Sequence, residues 1–184
     1  MNRVWGKAVG IAGLILMLGG TSSWGAPPNN DASDAVGNTA GGTAALANTT
    51  TGVFNTADGF AALLSNTTGS VNTAVGIDVL LSNTTGNNNT GTGAFALFRT
   101  TTGGNNTASG VDTLFNNTTG SSNTGTGAFA LFSTTTGGSN TGVGVNALFS
   151  TTAGGSNTGV GVNALFSTTT GDNNLAVGAG AGGY

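Results

Sequence analysis

Hydrophobic and polar positions along this chain recur with a period of 17 residues. The pair Asn-Thr first occurs at Asn38, it returns at 55, 72, 89, 106, 123, 140 and 157, and Asn174 opens a ninth unit. Eight full units therefore cover residues 38–173 without an insertion. A short fixed period is typical of a solenoid, in which each coil buries its apolar side by stacking on its neighbours.

Besides Thr at position 2, five positions of the unit do not vary in the eight full units when the opening Asn is numbered 1. They are Asn at 1, Gly at 5, Leu at 9, Thr at 13 and Gly at 15. The glycines permit tight turns, and the Leu column forms an aliphatic spine if coils stack as parallel strands about 4.8 Å apart. The Asn column can pass amide hydrogen bonds from coil to coil. The pattern predicts an all-β fold: a single β-solenoid or β-roll over 38–184, with eight full coils and one partial coil. Each coil would hold two strands, roughly "TAVGV" and "ALFSTT".

Position 10 of the unit is phenylalanine in the later coils. The column consists of Phe98, Phe115, Phe132, Phe149 and Phe166. Neighbouring residues of a strand point to opposite faces, so a Leu column in the core puts the Phe column outside. A ladder of exposed rings normally marks an interface, and we predict that copies of the chain associate through it. The alternative is a short helical turn over positions 5 to 10, which would bury both columns.

The N-terminal 25 residues have the features of a signal peptide. Arg3 and Lys7 form a positive segment before an apolar run over about 8–18, and small residues follow up to Gly25. We predict a signal peptide over 1–25 and a linker over 26–37. An uncleaved anchor is the alternative, but about a dozen apolar residues are fewer than the roughly 20 that cross a bilayer. The mature chain is therefore expected to be exported and to lack a transmembrane segment.

Charged residues are scarce, and histidine and cysteine are absent. After cleavage at Gly25, one cation, Arg99, remains with six Asp, a net charge of −5. Nucleic-acid binding needs clustered Lys and Arg, so no nucleic-acid partner is expected. Without cysteine there are no disulfides, and stability must come from packing and backbone hydrogen bonds.

The carboxylates form no convincing catalytic or metal site. Asp78 and Asp112 share position 7 two coils apart, about 9.6 Å by the strand spacing. That separation is near the one of inverting glycosidases, but Phe95 lies between them, and two solvated surface carboxylates are the better interpretation. Transition metals lack His and Cys ligands, and a weak cation at "GDNN" over 171–174 is a minor alternative. We expect no enzyme, cofactor or metal.

Threonine pairs suggest a second use of the surface. Units 1, 4, 6 and 8 have Thr at both positions 12 and 14. The pairs in the last three are Thr100 with Thr102, Thr134 with Thr136, and Thr168 with Thr170. In a flat strand each pair would lie about 6.7 Å apart, and the array is similar to the flat face of ice-binding β-solenoids. A hydrated β surface explains the same residues.

The repeat itself resembles a family of surface proteins. The motif "NTAVG" looks like the head repeats of trimeric autotransporter adhesins. The stretch "NTAVGIDVLLSNTTGNNNTGTG" is similar to the seventeen-residue repeats of bacterial and phage surface proteins that end in a self-cleaving tail-spike chaperone domain. The resemblance covers 38–184 and implies a β-roll or β-solenoid, often trimeric, that projects from a surface and contacts others. Residues 38–184 include neither the anchor strands nor the chaperone domain of those families, which leaves two interpretations open: a fragment of a longer protein, or a short secreted protein that joins another molecule.

These observations favour an exported, non-enzymatic structural or adhesive module, extracellular or on a bacterial cell surface. A homo-oligomer is expected, with a trimer favoured, and a surface receptor, a glycan or a longer fibre are further candidate partners. The alternative function is ice binding through the Thr-rich face.

Overall fold

The described part of the protein is a stack of short coils with ten strands of two or three residues. The computed structural model describes residues 32–33 and 36–182, so the predicted signal peptide and most of the predicted linker lie outside the described residues. The strands are β1 (Ala32–Ser33), β2 (Thr39–Gly41), β3 (Thr56–Asp58), β4 (Thr73–Val75), β5 (Thr90–Thr92), β6 (Thr107–Ser109), β7 (Thr124–Thr126), β8 (Thr141–Val143), β9 (Thr158–Val160) and β10 (Leu175–Val177). No helix that could span a membrane occurs in this part of the chain.

One sheet runs the length of the stack in sequence order. Strands β2 to β10 pair in parallel, and each residue lies beside the equivalent residue of the next unit. Thr90 therefore pairs with Thr107, and Thr107 with Thr124. Strand β1 pairs antiparallel with β2 at the N-terminal end of the sheet. The predicted all-β solenoid of about eight turns is confirmed.

Each coil has one strand rather than the two that were predicted. The "ALFSTT" segment is a series of turns in which positions 7 and 9 have left-handed backbone, with φ of 59° at Phe95 and 56° at Leu97. This conformation costs an L-residue roughly 1–2 kcal/mol. A hydrogen bond offsets this conformational cost, because the left-handed backbone lets the N–H of Leu97 donate to the carbonyl of Thr113 in the next coil at 3.0 Å. The segment is no helix either, so the Leu column lies inside while the Phe column is half-buried at the surface.

The core is a narrow column of small and aliphatic side chains. Position 3 contributes Ala or Gly, position 8 is mostly Ala, and position 9 contributes the Leu spine. The leucines at 63, 80, 97, 114, 131 and 148 are all fully buried. Because every coil supplies the same three positions, the predicted aliphatic spine is continuous and each coil relies on its neighbours for burial.

The Asn column forms the predicted amide ladder. Asn106 donates from Nδ2 to Oδ1 of Asn89 in the preceding coil at 3.1 Å, and to the carbonyl of Gly120 at 2.9 Å. Its Oδ1 accepts from the backbone N–H and from Nδ2 of Asn123, at 3.0 and 3.2 Å. Both donors and both acceptor sites of this buried amide are therefore satisfied.

The invariant Thr at position 13 anchors the opposite turn. The N–H groups of Thr101, Thr102 and Gly103 all donate to the carbonyl of Thr118 in the next coil, at 2.9 to 3.3 Å. The hydroxyl of Thr101 donates to the same oxygen at 3.1 Å. Only the hydroxyl among these four donors depends on the side chain, so position 13 favours a residue with a hydroxyl group.

In two coils the neighbouring residue at position 8 limits residue size at position 3. A Cβ added to Gly91 would lie 2.5 Å from Cγ1 of Val79, and one added to Gly125 would lie 2.5 Å from Cγ2 of Thr113. In both places the bulkier residue at position 8 replaces the usual alanine. Overpacking of this kind costs about 1–3 kcal/mol, so we expect Gly91→Ala to lower the free energy of unfolding by that amount.

A double-mutant cycle tests this dependence. The variant Val79→Ala makes room for the new methyl group, so Val79→Ala with Gly91→Ala should be more stable than Gly91→Ala alone, measured by urea unfolding. Additive losses in the double variant would show that the two side chains do not compete for the same space.

Candidate interaction surfaces

The phenylalanine column is a stack of parallel rings. Ring centroids of successive members lie 5.0 to 5.3 Å apart, with interplanar angles of 5 to 16°. Phe95 and Phe129, at position 7, meet the column edge-on or tilted at 5.9 Å. The guanidinium carbon of Arg99 lies 5.8 Å from the centroid of the Phe115 ring. The ring faces cover one another, so an approaching partner meets mainly ring edges.

A more exposed apolar column lies at position 6, and it was not among the predicted interfaces. We define this apolar column as Phe60, Ile77, Ala94, Val111, Ala128, Val145, Val162 and Ala179. Its larger members are 44 to 56% exposed. The signal was available in the sequence, because position 6 is apolar in every coil from the second to the ninth.

The apolar column widens toward the C-terminal coils. Val143 and Val145 flank Gly144, and Val160 and Val162 flank Gly161. Val143 is 37% exposed and Val177 of the following coil is 69% exposed. Uncharged valines therefore dominate the outer positions 4 and 6 over the last two full coils.

The predicted Thr-x-Thr face is divided between interior and surface. Thr100 and Thr134 are fully buried and their hydroxyls have no hydrogen-bond partner, while Thr168 is half-buried. Thr102, Thr136 and Thr170 are exposed. Positions 12 and 14 point to the same side only in an extended strand, and here they belong to a turn, so these pairs do not form one exposed face.

A different column of threonines is exposed on the outer face of the sheet. We define the threonine column as the position-2 residues of β3 to β9: Thr56, Thr73, Thr90, Thr107, Thr124, Thr141 and Thr158. Each is exposed or half-exposed, while the position-3 residue that follows it is buried. The sequence shows that these threonines recur, but not that they share a solvent-facing column.

The carboxylates remain separate from one another. Asp78 and Asp112 are half-buried at position 7, with Phe95 between them in the column. Burial raises the pKa of Asp112 above its ordinary value. Within the described residues, no group of three or more His, Cys, Asp or Glu side chains lies together, and Asp172 accepts a hydrogen bond from the backbone N–H of Gly155.

An open groove lies near the C-terminal end of the phenylalanine column. It is lined by Asn146, Asn163, Phe166, Ser167 and Gly180. Nδ2 of Asn146 donates to Oδ1 of Asn163 at 3.0 Å within this lining. The lining consists of two amides, one hydroxyl, a phenyl ring and a glycine.

Comparison of the chain with protein-family models, curated proteins and solved structures gave no match. The function of its surfaces is therefore inferred from their own geometry and chemistry.

Proposed function

We propose that this chain is an exported, non-enzymatic repeat protein that acts as a structural or adhesive module at a cell surface or outside the cell. The observation that carries the proposal is the uninterrupted apolar column on the outside of a solenoid. Contiguous exposed apolar patches mark interaction sites. The coil-to-coil hydrogen bonds of the position-1 Asn and position-13 Thr columns supply a rigid support for such a surface.

A second copy of the same chain is the partner that fits the apolar column best. The column repeats with the coil spacing of about 4.8 Å, and another copy presents the same spacing along its own surface. Two copies can therefore bring apolar side chains together at coil after coil, whereas an irregular globular surface matches only a few. The column itself has no charge that would select a charged partner.

The apolar column is a better candidate interface than the phenylalanine column. The members of the phenylalanine column are half-buried and their faces are already stacked on one another, so association would bury less additional area per residue. Hydrophobic stabilisation is proportional to the apolar area removed from water. A trimer, which the sequence resemblance implies, would use this surface on each copy.

Sedimentation equilibrium of the purified protein tests the proposal. We expect an oligomer for the wild type, and a shift toward monomer for the double variant Val145→Ser with Val162→Ser. The double variant Phe132→Ser with Phe149→Ser tests the phenylalanine column in the same way. Far-ultraviolet circular dichroism should show that each variant keeps the β-rich fold.

The matched control is Ala153→Ser with Thr170→Ser, which changes exposed position-14 residues in the same two coils. This control should associate like the wild type. A wild-type protein that is monomeric at every concentration would contradict self-association. Dissociation by the phenylalanine variants alone would place the interface at position 10 instead.

A further inference from the structure

The threonine column is an in-register file of hydroxyls on one continuous parallel sheet. Residues of successive coils pair directly, Thr56 with Thr73 and so on to Thr141 with Thr158. Strand spacing sets the separation of successive members at about 4.8 Å, and the seven members extend over about 29 Å. The surface therefore presents the same group at regular intervals along most of the solenoid.

These hydroxyls have no structural partner in the described part of the chain, where none of the seven side-chain hydroxyls forms a hydrogen bond with the protein. The position-13 threonines differ, because their hydroxyls donate to the next coil, as Thr101 does to Thr118 at 3.1 Å. The hydroxyl is thus needed for the fold at position 13, but not at position 2.

The strand does not by itself require threonine at position 2. Position 4 lies on the same outward face of the same strands, and it varies among Asp58, Val75, Thr92, Ser109 and Val143. A β-branched residue such as Val satisfies strand preference equally well. The uniform choice of a residue with both a methyl group and a free hydroxyl therefore points to recognition.

In the middle of the column, position 4 also has hydroxyl residues, and these form a second file parallel to the threonine column. Thr90 and Thr92 share β5, Thr107 and Ser109 share β6, and Thr124 and Thr126 share β7. Within a strand the two files lie about 6.7 Å apart. Only the small residues Gly91, Ala108 and Gly125 separate them along the chain.

A ligand that engages such an array must itself be periodic. In ice each water oxygen is tetrahedrally hydrogen-bonded at an O···O distance of about 2.75 Å, which places second-neighbour oxygens about 4.5 Å apart. This differs from the strand spacing by about 0.3 Å, so over three successive steps the mismatch stays near 1 Å. Several successive hydroxyls can therefore occupy positions close to those of lattice water.

We propose that the threonine column, with the second file in β5 to β7, binds the surface of ice. Glycans are a less suitable ligand, because the outward positions 2 and 4 of β3 to β9 have no aromatic platform and only one carboxylate, that of Asp58 in β3. This proposal is separate from that of self-association, which is assigned to position 6. The face also differs from the predicted ice face at positions 12 and 14.

The test is thermal hysteresis and ice-crystal shaping by the full protein. We expect hysteresis for the wild type and loss of most of it for Thr107→Tyr, because the bulky ring holds the central hydroxyls away from the ice. The variant Thr107→Val keeps the shape of the side chain and removes only the hydroxyl. It should reduce hysteresis without altering the circular dichroism spectrum.

The matched control is Thr102→Tyr, at an exposed position 14 of the turn, and it should retain wild-type hysteresis. Absence of hysteresis in the wild type overturns the proposal, as does binding to an insoluble polysaccharide without any effect on ice. Loss of hysteresis in Thr102→Tyr with full retention in Thr107→Tyr would assign the activity to the turn and would equally overturn it.

Discussion

Replacing Gly144 by alanine should destabilise the solenoid more strongly than the change Gly91→Ala. Gly144 has φ of 128°, a backbone conformation that L-residues rarely adopt. An added Cβ would lie 2.6 Å from the carbonyl carbon and oxygen of Gly161 in the next coil. Backbone strain and overpacking together should lower the free energy of unfolding by roughly 2 to 6 kcal/mol, as measured by urea or thermal unfolding.

The control for this variant is Gly155→Ser in the same coil. Gly155 lies at position 16, its nearest contact for an added Cβ is 3.2 Å, and other coils have Ser, Asn or Asp there. Its stability should stay close to that of the wild type. Equal losses in both variants would mean that position 5 has no special role in stacking the coils.

Asn106→Ala should remove about 3 to 5 kcal/mol from the free energy of unfolding. The change deletes four hydrogen bonds and leaves the buried N–H of Asn123 without its acceptor. An unsatisfied buried donor costs about 1–3 kcal/mol, which is more than the net value of an ordinary hydrogen bond. Unfolding by urea, followed by circular dichroism, measures the loss.

The same stretch of the solenoid supplies the control for the Asn ladder. Asn116 is half-buried at position 11 and its side chain takes no part in the ladder, so Asn116→Ala should cost much less. If the two variants unfold at the same urea concentration, the amide ladder contributes no more than an ordinary surface side chain.

Interior residues were more predictable than surface residues. An invariant Asn, Gly or Leu column has one physical explanation in a stacked coil, so the turn glycines, amide ladder and aliphatic spine could be inferred from their spacing. Thr100 and Thr102 show the limit, because they look equivalent in sequence and one is buried while the other is exposed. Which side of a turn faces water depends on backbone angles that the period does not encode.

The exposure of the candidate interaction surfaces was equally hard to predict from the sequence. The phenylalanine column was found by its ring chemistry, yet its faces stack within the column, while the apolar column at position 6 is more exposed and was not predicted. Similarly, the position-13 and position-2 threonines are equally regular in sequence. Only the hydrogen bond from Thr101 to Thr118 and its equivalents separate the structural threonines from the free ones.

The sequence by itself determined that the protein is a 17-residue solenoid with parallel, in-register coils and a leucine core, because only stacking lets every identical unit bury its apolar positions. The tertiary structure decided that each coil has a single strand and that Leu97 and its equivalents adopt left-handed backbone. The intrinsic backbone preference of L-residues disfavours the left-handed conformation. It is stabilised by hydrogen bonds to the next coil, which no single unit of the sequence contains.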